Sequence, residues 1–269
     1  MASDEESSAR CCWSYGRIRF TVLLALLQPL LTLAVCYAMW CLQGCNPLLP
    51  CISDLGLVWP MRQTFNVGLT TGAVLLTIAL LDIFQVRIRL FRAMSVGPGW
   101  HCFNVVLLVA GLAIFLGVGA IGFFPWNENL DWHMTCANTI FYGGTAWGLG
   151  NSCVLRRYQQ DLPEESSWQT TLTRARTVQL ALLLVSFSSL TAMETVDGVT
   201  GAFDQPGYLD FPNFCKASRM NGVGFHALAE WVLIFSLVAG VSTVLVDLDL
   251  CFNSALGRSE SLVSKGPLE

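Results

Sequence analysis

The chain alternates between long apolar runs and short polar stretches that are often basic, on a length scale suited to a bilayer. An α-helix rises about 1.5 Å per residue, so a hydrocarbon core about 30 Å thick takes about 20 mostly apolar residues to cross. Six runs qualify: residues 20–41, 65–86, 100–124, 134–155, 177–196 and 224–246. The first contains no charge but does contain Pro29, which a membrane helix tolerates where a neighbouring helix or a Thr or Gln side chain meets the freed carbonyl. The second carries Asp82, the fifth Glu194 and the sixth both His226 and Glu230. Between the third and fourth runs, residues 125–131 are polar and short enough to form a tight hairpin loop. The pattern predicts an all-α, integral membrane six-helix bundle. It consists of an N-terminal segment 1–19, a membrane domain 20–250 and a tail 251–269, with the Ser- and charge-rich stretches 1–10 and 254–269 disordered.

Composition sharpens this reading. The 269 residues are 54% hydrophobic and only 13% charged, with a mean hydropathy of +0.54, whereas soluble domains carry about 25% charge. A net charge of −4 supplies no positive field for nucleic acid, which is therefore excluded as a partner. The basic residues are lopsided. Twelve of the fifteen flank one side of the predicted spans, from Arg10, Arg17 and Arg19 through Arg87, Arg89 and Arg92 to Arg156, Arg157, Arg174, Arg176, Arg258 and Lys265. Only Arg62, Lys216 and Arg219 fall on the other, so both termini are expected in the cytosol. The acidic start, Met1 to Glu6, is unlike a cleaved signal, and the first span is expected to stay as an anchor.

Among eleven cysteines, Cys45 and Cys51 share the first luminal loop and are expected to pair, with Cys215 in the third loop a competing partner for either. Cys11 and Cys12 sit where juxtamembrane cysteines become acylated. Cys36, Cys102, Cys136 and Cys153 are expected to pack as small hydrophobes. Gly117, Gly119 and Gly122 match the dinucleotide pattern G-x-G-x-x-G, but they lie inside an apolar span with no strand before them. They read instead, like Gly68 with Gly72 and Gly144 with Gly148, as places where helices approach closely.

Ionisable residues inside a bilayer are costly to bury and mark functional positions. Asp82 lies near the basic boundary, within reach of water or of Arg87. His226 and Glu230, four residues apart, share a helix face that should look into the bundle, and they join His133, Glu194 and Trp231 as candidate intramembrane functional residues. The spacing contains no metal pair such as H-x-x-x-H and no common hydrolase signature, so no catalytic residue, metal or cofactor is expected. An interhelical hydrogen-bond network or a lipid-headgroup contact is the expected role.

The first luminal loop reads Asn46-Pro47-Leu48-Leu49-Pro50-Cys51-Ile52-Ser53-Asp54-Leu55-Gly56. Its prolines stiffen an extended approach, Ser53 and Asp54 can turn the chain by bonding backbone, and Gly56 permits positive φ. The loop resembles the N-P-x-L-P-x-I-S-D-x-G segment of the damage-regulated autophagy modulator family and its Frag and Sfk relatives. Phe103-Asn104, His133 and Ala229-Glu230-Trp231 extend the resemblance along residues 20–250.

The resemblance implies a six-span membrane protein of lysosomes, endosomes or the plasma membrane. Its expected function is non-enzymatic regulation of autophagy and lysosomal function, with membrane lipids and membrane or cytosolic regulatory proteins as partners, the latter reaching the loop 156–176. The alternatives are a plasma-membrane scaffold acting on a phosphoinositide kinase or on lipid distribution, and a lipid-remodelling enzyme using His133, His226 and Glu230. Tyr15 and Ile18 fit a tyrosine-based sorting motif close to the membrane.

Overall fold

The computed structural model describes the backbone of residues 2–47, 50–162, 166, 168–200, 215–216 and 222–252, and the side chains of the same residues except 2–14, 197–200 and 222–223. The described chain is helical: α1 (Ala2–Leu42), α2 (Met61–Ala93), α3 (Pro98–Ile121), α4 (Leu130–Asp161), α5 (Trp168–Thr200) and α6 (Gly222–Ser242). A 3-10 turn, Ile52–Gly56, lies between α1 and α2. Past α6 the ladder tightens to three-residue bonds, Val246 N–H to Thr243 O and Asp247 N–H to Val244 O, and the chain continues as helix over 245–252.

Five of the six helices are long and apolar enough to cross a membrane by composition. The exception, α4, spans 32 residues but spends much of its surface on small and polar groups, because it is the most enclosed: Asn151, Ser152, Gly148 and Gly150 are buried along it. Elsewhere the surface is inverted relative to a soluble protein. Phe20, Leu31, Val67, Leu116, Leu184 and Phe225 are each more than 60% exposed, a distribution that acyl chains tolerate and water does not.

Each helix packs on the next, and α6 folds back to touch α1 and α4. Glycines set the close approaches. A Cβ at Gly68 or Gly72 would strike Thr32 or Pro29 of α1, one at Gly144 would meet Leu237 of α6, and one at Gly148 would meet Leu183 of α5. Gly117 and Gly119 likewise face α4 and Ala73, so the glycine run is packing surface and not a nucleotide loop. Beside Pro29, the Gln28 side chain donates to Gly68 O at 2.8 Å and to Thr32 Oγ1 at 3.1 Å, which ties α1 to α2 where no Cβ separates them.

Helix ends differ from the predicted spans because helices continue past their apolar section. The α1 backbone is helical from Ala2, so residues 2–10 are not the disordered stretch expected, while 253–269 fall outside the described residues. The expected loop 156–176 is mostly helix. Only 162–167 separate α4 from α5, and the adjoining turns are knitted by Gln159 Nε2 to Thr173 Oγ1 at 2.8 Å and Gln169 Nε2 to Leu162 O at 2.9 Å. The hairpin at 125–131 forms as expected: Glu128 N–H and Asn129 N–H donate to Pro125 O, and the Asn129 side chain caps α4.

Candidate functional site at the loop end of the bundle

The loop after α1 is a plug seated on the bundle, with Cys51, Ile52, Asp54 and Leu55 buried. Indole and phenol donors from two helices, α1 and α6, and from the loop between α3 and α4 hold it. Tyr37 OH donates to Pro47 O at 2.6 Å, Trp40 Nε1 to Asn46 O at 2.7 Å, Trp231 Nε1 to Pro50 O at 2.8 Å and Trp126 Nε1 to Asp54 Oδ1 at 3.3 Å. Asp54 also accepts from Cys51 N–H at 2.9 Å, which closes the 3-10 turn as its residue type anticipates. Ser53 lines the central cavity. Gly56 is needed for space and not for φ: its backbone is not in the left-handed region, and a Cβ there would lie 2.9 Å from the Phe65 ring.

The Glu-Trp pair of α6 reads this loop in register. Trp231 takes Pro50 O, while Glu230 Oε2 accepts from Ile52 N–H at 2.8 Å, two residues further on. Neither partner was legible in the sequence, since both are main-chain groups some 180 residues away. Sulfur chemistry reinforces the contact, with one correction. The disulfide joins Cys45 to Cys215, with Asn46 N–H donating to Cys215 O at 2.7 Å, and the expected Cys45–Cys51 pairing is not formed. The 3-10 turn aims Cys51 inward, where its sulfur, His226 and Glu230 gather with their ligand atoms within 4.8 Å of one another, all three buried.

Other candidates go elsewhere. His133 Nδ1 donates to Phe124 O at 2.7 Å and closes the turn between α3 and α4, apart from the α6 residues. Glu194 is exposed and accepts from the Tyr142 hydroxyl. Cys36 and Cys136 are buried as expected, whereas Cys102 and Cys153 face outward. The side chains of Cys11 and Cys12 lie outside the described residues. Tyr15 stacks on Phe252 at 4.5 Å and donates to Asp249, and Ile18 packs on the core, so the sorting motif is folded against the C-terminal segment.

The opposite end holds a buried polar group whose pairing the sequence did not reveal. Arg87, expected as a cytosolic flanking charge, is 3% exposed. Its Nη2 and Nε lie 2.7 and 2.9 Å from Asp247 Oδ2, and Nη2 donates to Asn151 Oδ1 at 2.5 Å. Asp247, fully buried, was not singled out. It sits just beyond the predicted sixth span, and the only sequence signal was a pair of acids, Asp247 and Asp249, set among the apolar residues Leu245, Val246, Leu248 and Leu250.

Between the two ends, a cavity of about 150 Å³ lies where the helices meet, walled by groups such as Leu69, Phe115, Phe141 and Leu237. It extends along α6 from Glu230 to Val241, about 16 Å at the helical rise. Two polar side chains enter its wall from α5: Ser186, hydrogen-bonded to Ser236, and Gln179, 1% exposed, with neither Nε2 nor Oε1 hydrogen-bonded.

Neither a curated protein nor a solved structure matches the chain. A family model described as the Frag1/DRAM/Sfk1/Cwh43P N-terminal domain matches residues 18–250, which include the seated loop, the Glu-Trp pair, α1 from residue 18 onward and the other five long helices. The chain therefore belongs to the Frag1/DRAM/Sfk1 family of membrane proteins.

Proposed function

We propose that the protein is a non-enzymatic, multi-pass regulator of autophagy and lysosomal function that works by holding a membrane lipid in its central cavity. The observation that carries the lipid reading is Gln179. A buried amide with both ends unsatisfied costs about 1–3 kcal/mol, and no group of the mostly apolar cavity wall hydrogen-bonds either end of Gln179. A lipid satisfies both demands. Its chain fills the apolar length along α6, and a hydroxyl, ester or amide group bonds Gln179. Family membership supports the setting, with the lysosomal or endosomal membrane the proposed location and the termini in the cytosol.

The test combines two measurements. Protein purified in mild detergent is analysed by mass spectrometry for retained lipid, and a tagged chain at native expression is imaged while autophagic flux is followed after depletion. The expected results are one retained lipid class, depleted in Gln179→Leu, together with lysosomal residence and flux that depletion lowers and the wild-type chain restores. Plasma-membrane residence with unchanged flux would overturn the autophagy reading in favour of a lipid-organising scaffold. Lipid turnover by the purified protein would overturn the non-enzymatic one.

A further inference from the structure

We propose that Cys51, His226 and Glu230 form a metal site of the zinc class that locks the first loop onto α6. Three independent features of the cluster converge on it. The first is the donor set: one thiolate, one imidazole and one carboxylate. Zinc takes this mixture in sites with three protein ligands and a fourth, exchangeable position. The thiolate disfavours magnesium and calcium, which prefer all-oxygen shells.

The second is geometry. His226 and Glu230 are one turn apart on the same face of α6, and Cys51 enters from the loop at the head of the 3-10 turn. All three ligand atoms already lie within 4.8 Å of one another. Bonds of about 2.0–2.3 Å around a tetrahedral centre bring ligand atoms to roughly 3.3–3.8 Å, so the cluster closes by rotamer adjustments of about an ångström. The backbone needs no movement, because bonds outside the cluster fix it. Trp231 holds Pro50 O next to Cys51, the Cys45–Cys215 disulfide anchors the start of the loop, and Ile52 N–H orients the Glu230 carboxylate through Oε2. That last bond is the outer-sphere support that metal-bound carboxylates characteristically receive.

The third is charge. The ligands are 1%, 7% and 7% exposed. An isolated thiolate or carboxylate at such burial is costly, whereas a divalent cation with these three ligands makes a complex of zero net charge. Glu230 also lines the central cavity beside Ile52 and Ser53. An oxygen donor for the fourth position, either water or a lipid oxygen, can therefore approach from the Glu230 side. The sequence alone pointed away from a metal because the cysteine lies 175 residues from the histidine, at a spacing no local motif encodes.

The site stands independently of the lipid reading, and its test reads metal and not activity. Full-length protein is purified in detergent with a non-histidine tag, its metal content is measured by mass spectrometry, and cobalt is then exchanged in. Wild type is expected to carry about one zinc ion per chain and, with cobalt, to show a thiolate-to-cobalt charge-transfer band with intense tetrahedral d–d absorption. Cys51→Ser should lose the charge-transfer band, and His226→Gln should lose most of the bound metal. The proposal is overturned by a wild type that neither carries zinc nor takes it up, or by a Cys51→Ser protein that keeps the same stoichiometry and spectrum. If the variants do not fold, wild type still decides, because a cobalt spectrum without a sulfur band excludes Cys51 as a ligand.

Discussion

At the scale of single residues, the loop plug shows how few side chains seat a polar loop on an apolar bundle. Trp231 illustrates the cost of losing one. Trp231→Phe keeps the ring that stacks on Phe235 but leaves the buried Pro50 carbonyl without its indole donor. The expected loss is about 1–3 kcal/mol, read as a lower midpoint of thermal unfolding in detergent together with faster reduction of the Cys45–Cys215 disulfide as the loop loosens. A solvent-facing contact behaves differently. Arg62 grips Glu128 through two bonds of 2.6 and 2.9 Å, and this hydrogen-bonded guanidinium holds the carboxyl below its ordinary value. Because the folded-state value is the lower one, the pair's contribution is fully present above the unfolded value. It is lost as pH falls below the ordinary glutamate range and through the lower folded value. Amide exchange at Asn129 and Leu130 should therefore be insensitive to pH between 5 and 7, once corrected for intrinsic rates. It should accelerate only on stronger acidification, and Arg62→Gln should remove that extra acid sensitivity.

At the scale of elements, close glycine approaches and a buried ion pair join the interhelical hydrogen bonds in holding the bundle. Gly68 sits against Thr32, next to the Gln28 bond that crosses from α1 to α2. Gly68→Val forces the helices apart and is expected to cost about 1–3 kcal/mol by overpacking, which a parallel Gly97→Ala control at an open position should not. The Arg87–Asp247 pair joins α2 to the helical stretch after α6, with Asn151 of α4 completing the arginine's bonds. Removing the cation alone leaves a buried carboxylate uncompensated, so Arg87→Met should destabilise by about 3–5 kcal/mol. The double variant Arg87→Met/Asp247→Leu should recover most of that loss, because it buries neither charge. Detergent unfolding of the two proteins checks this, and equal destabilisation would show that the pair contributes more than charge compensation.

At the scale of the whole molecule, the six helices pack their hydrophobic core around a central cavity. The Gln179 amide marks it as a place for something other than protein. Gln179→Leu removes a buried, unsatisfied amide, so delipidated protein should become more stable by about 1–3 kcal/mol. The lipid-loaded protein should gain nothing or lose stability, because the ligand then loses its bond to the Gln179 amide. Unfolding of matched delipidated and native preparations reads this crossover, which no ordinary core substitution would produce.

The six apolar runs were legible because bilayer burial demands a run length that local sequence alone records, and each coincides with a long helix. The glycine spacings were legible for the same reason, since close helix approach needs small residues on one helical face. The sequence also located the loop and the Glu-Trp pair by their resemblance to a family. What these residues touch was decided only by the fold. Glu230 and Trp231 bind main-chain atoms of the loop, which carry no residue identity and so no signal. The disulfide partner was settled by which segments meet: proximity in sequence favoured Cys51, whereas the fold puts Cys215 beside Cys45 and turns Cys51 toward His226. Arg87 looked like a topological charge until Asp247, 160 residues away, was brought beside it. A run of apolar residues states how deep a segment lies, but pairing between polar groups depends on helix rotation and on which helices are neighbours, and only the assembled bundle specifies those.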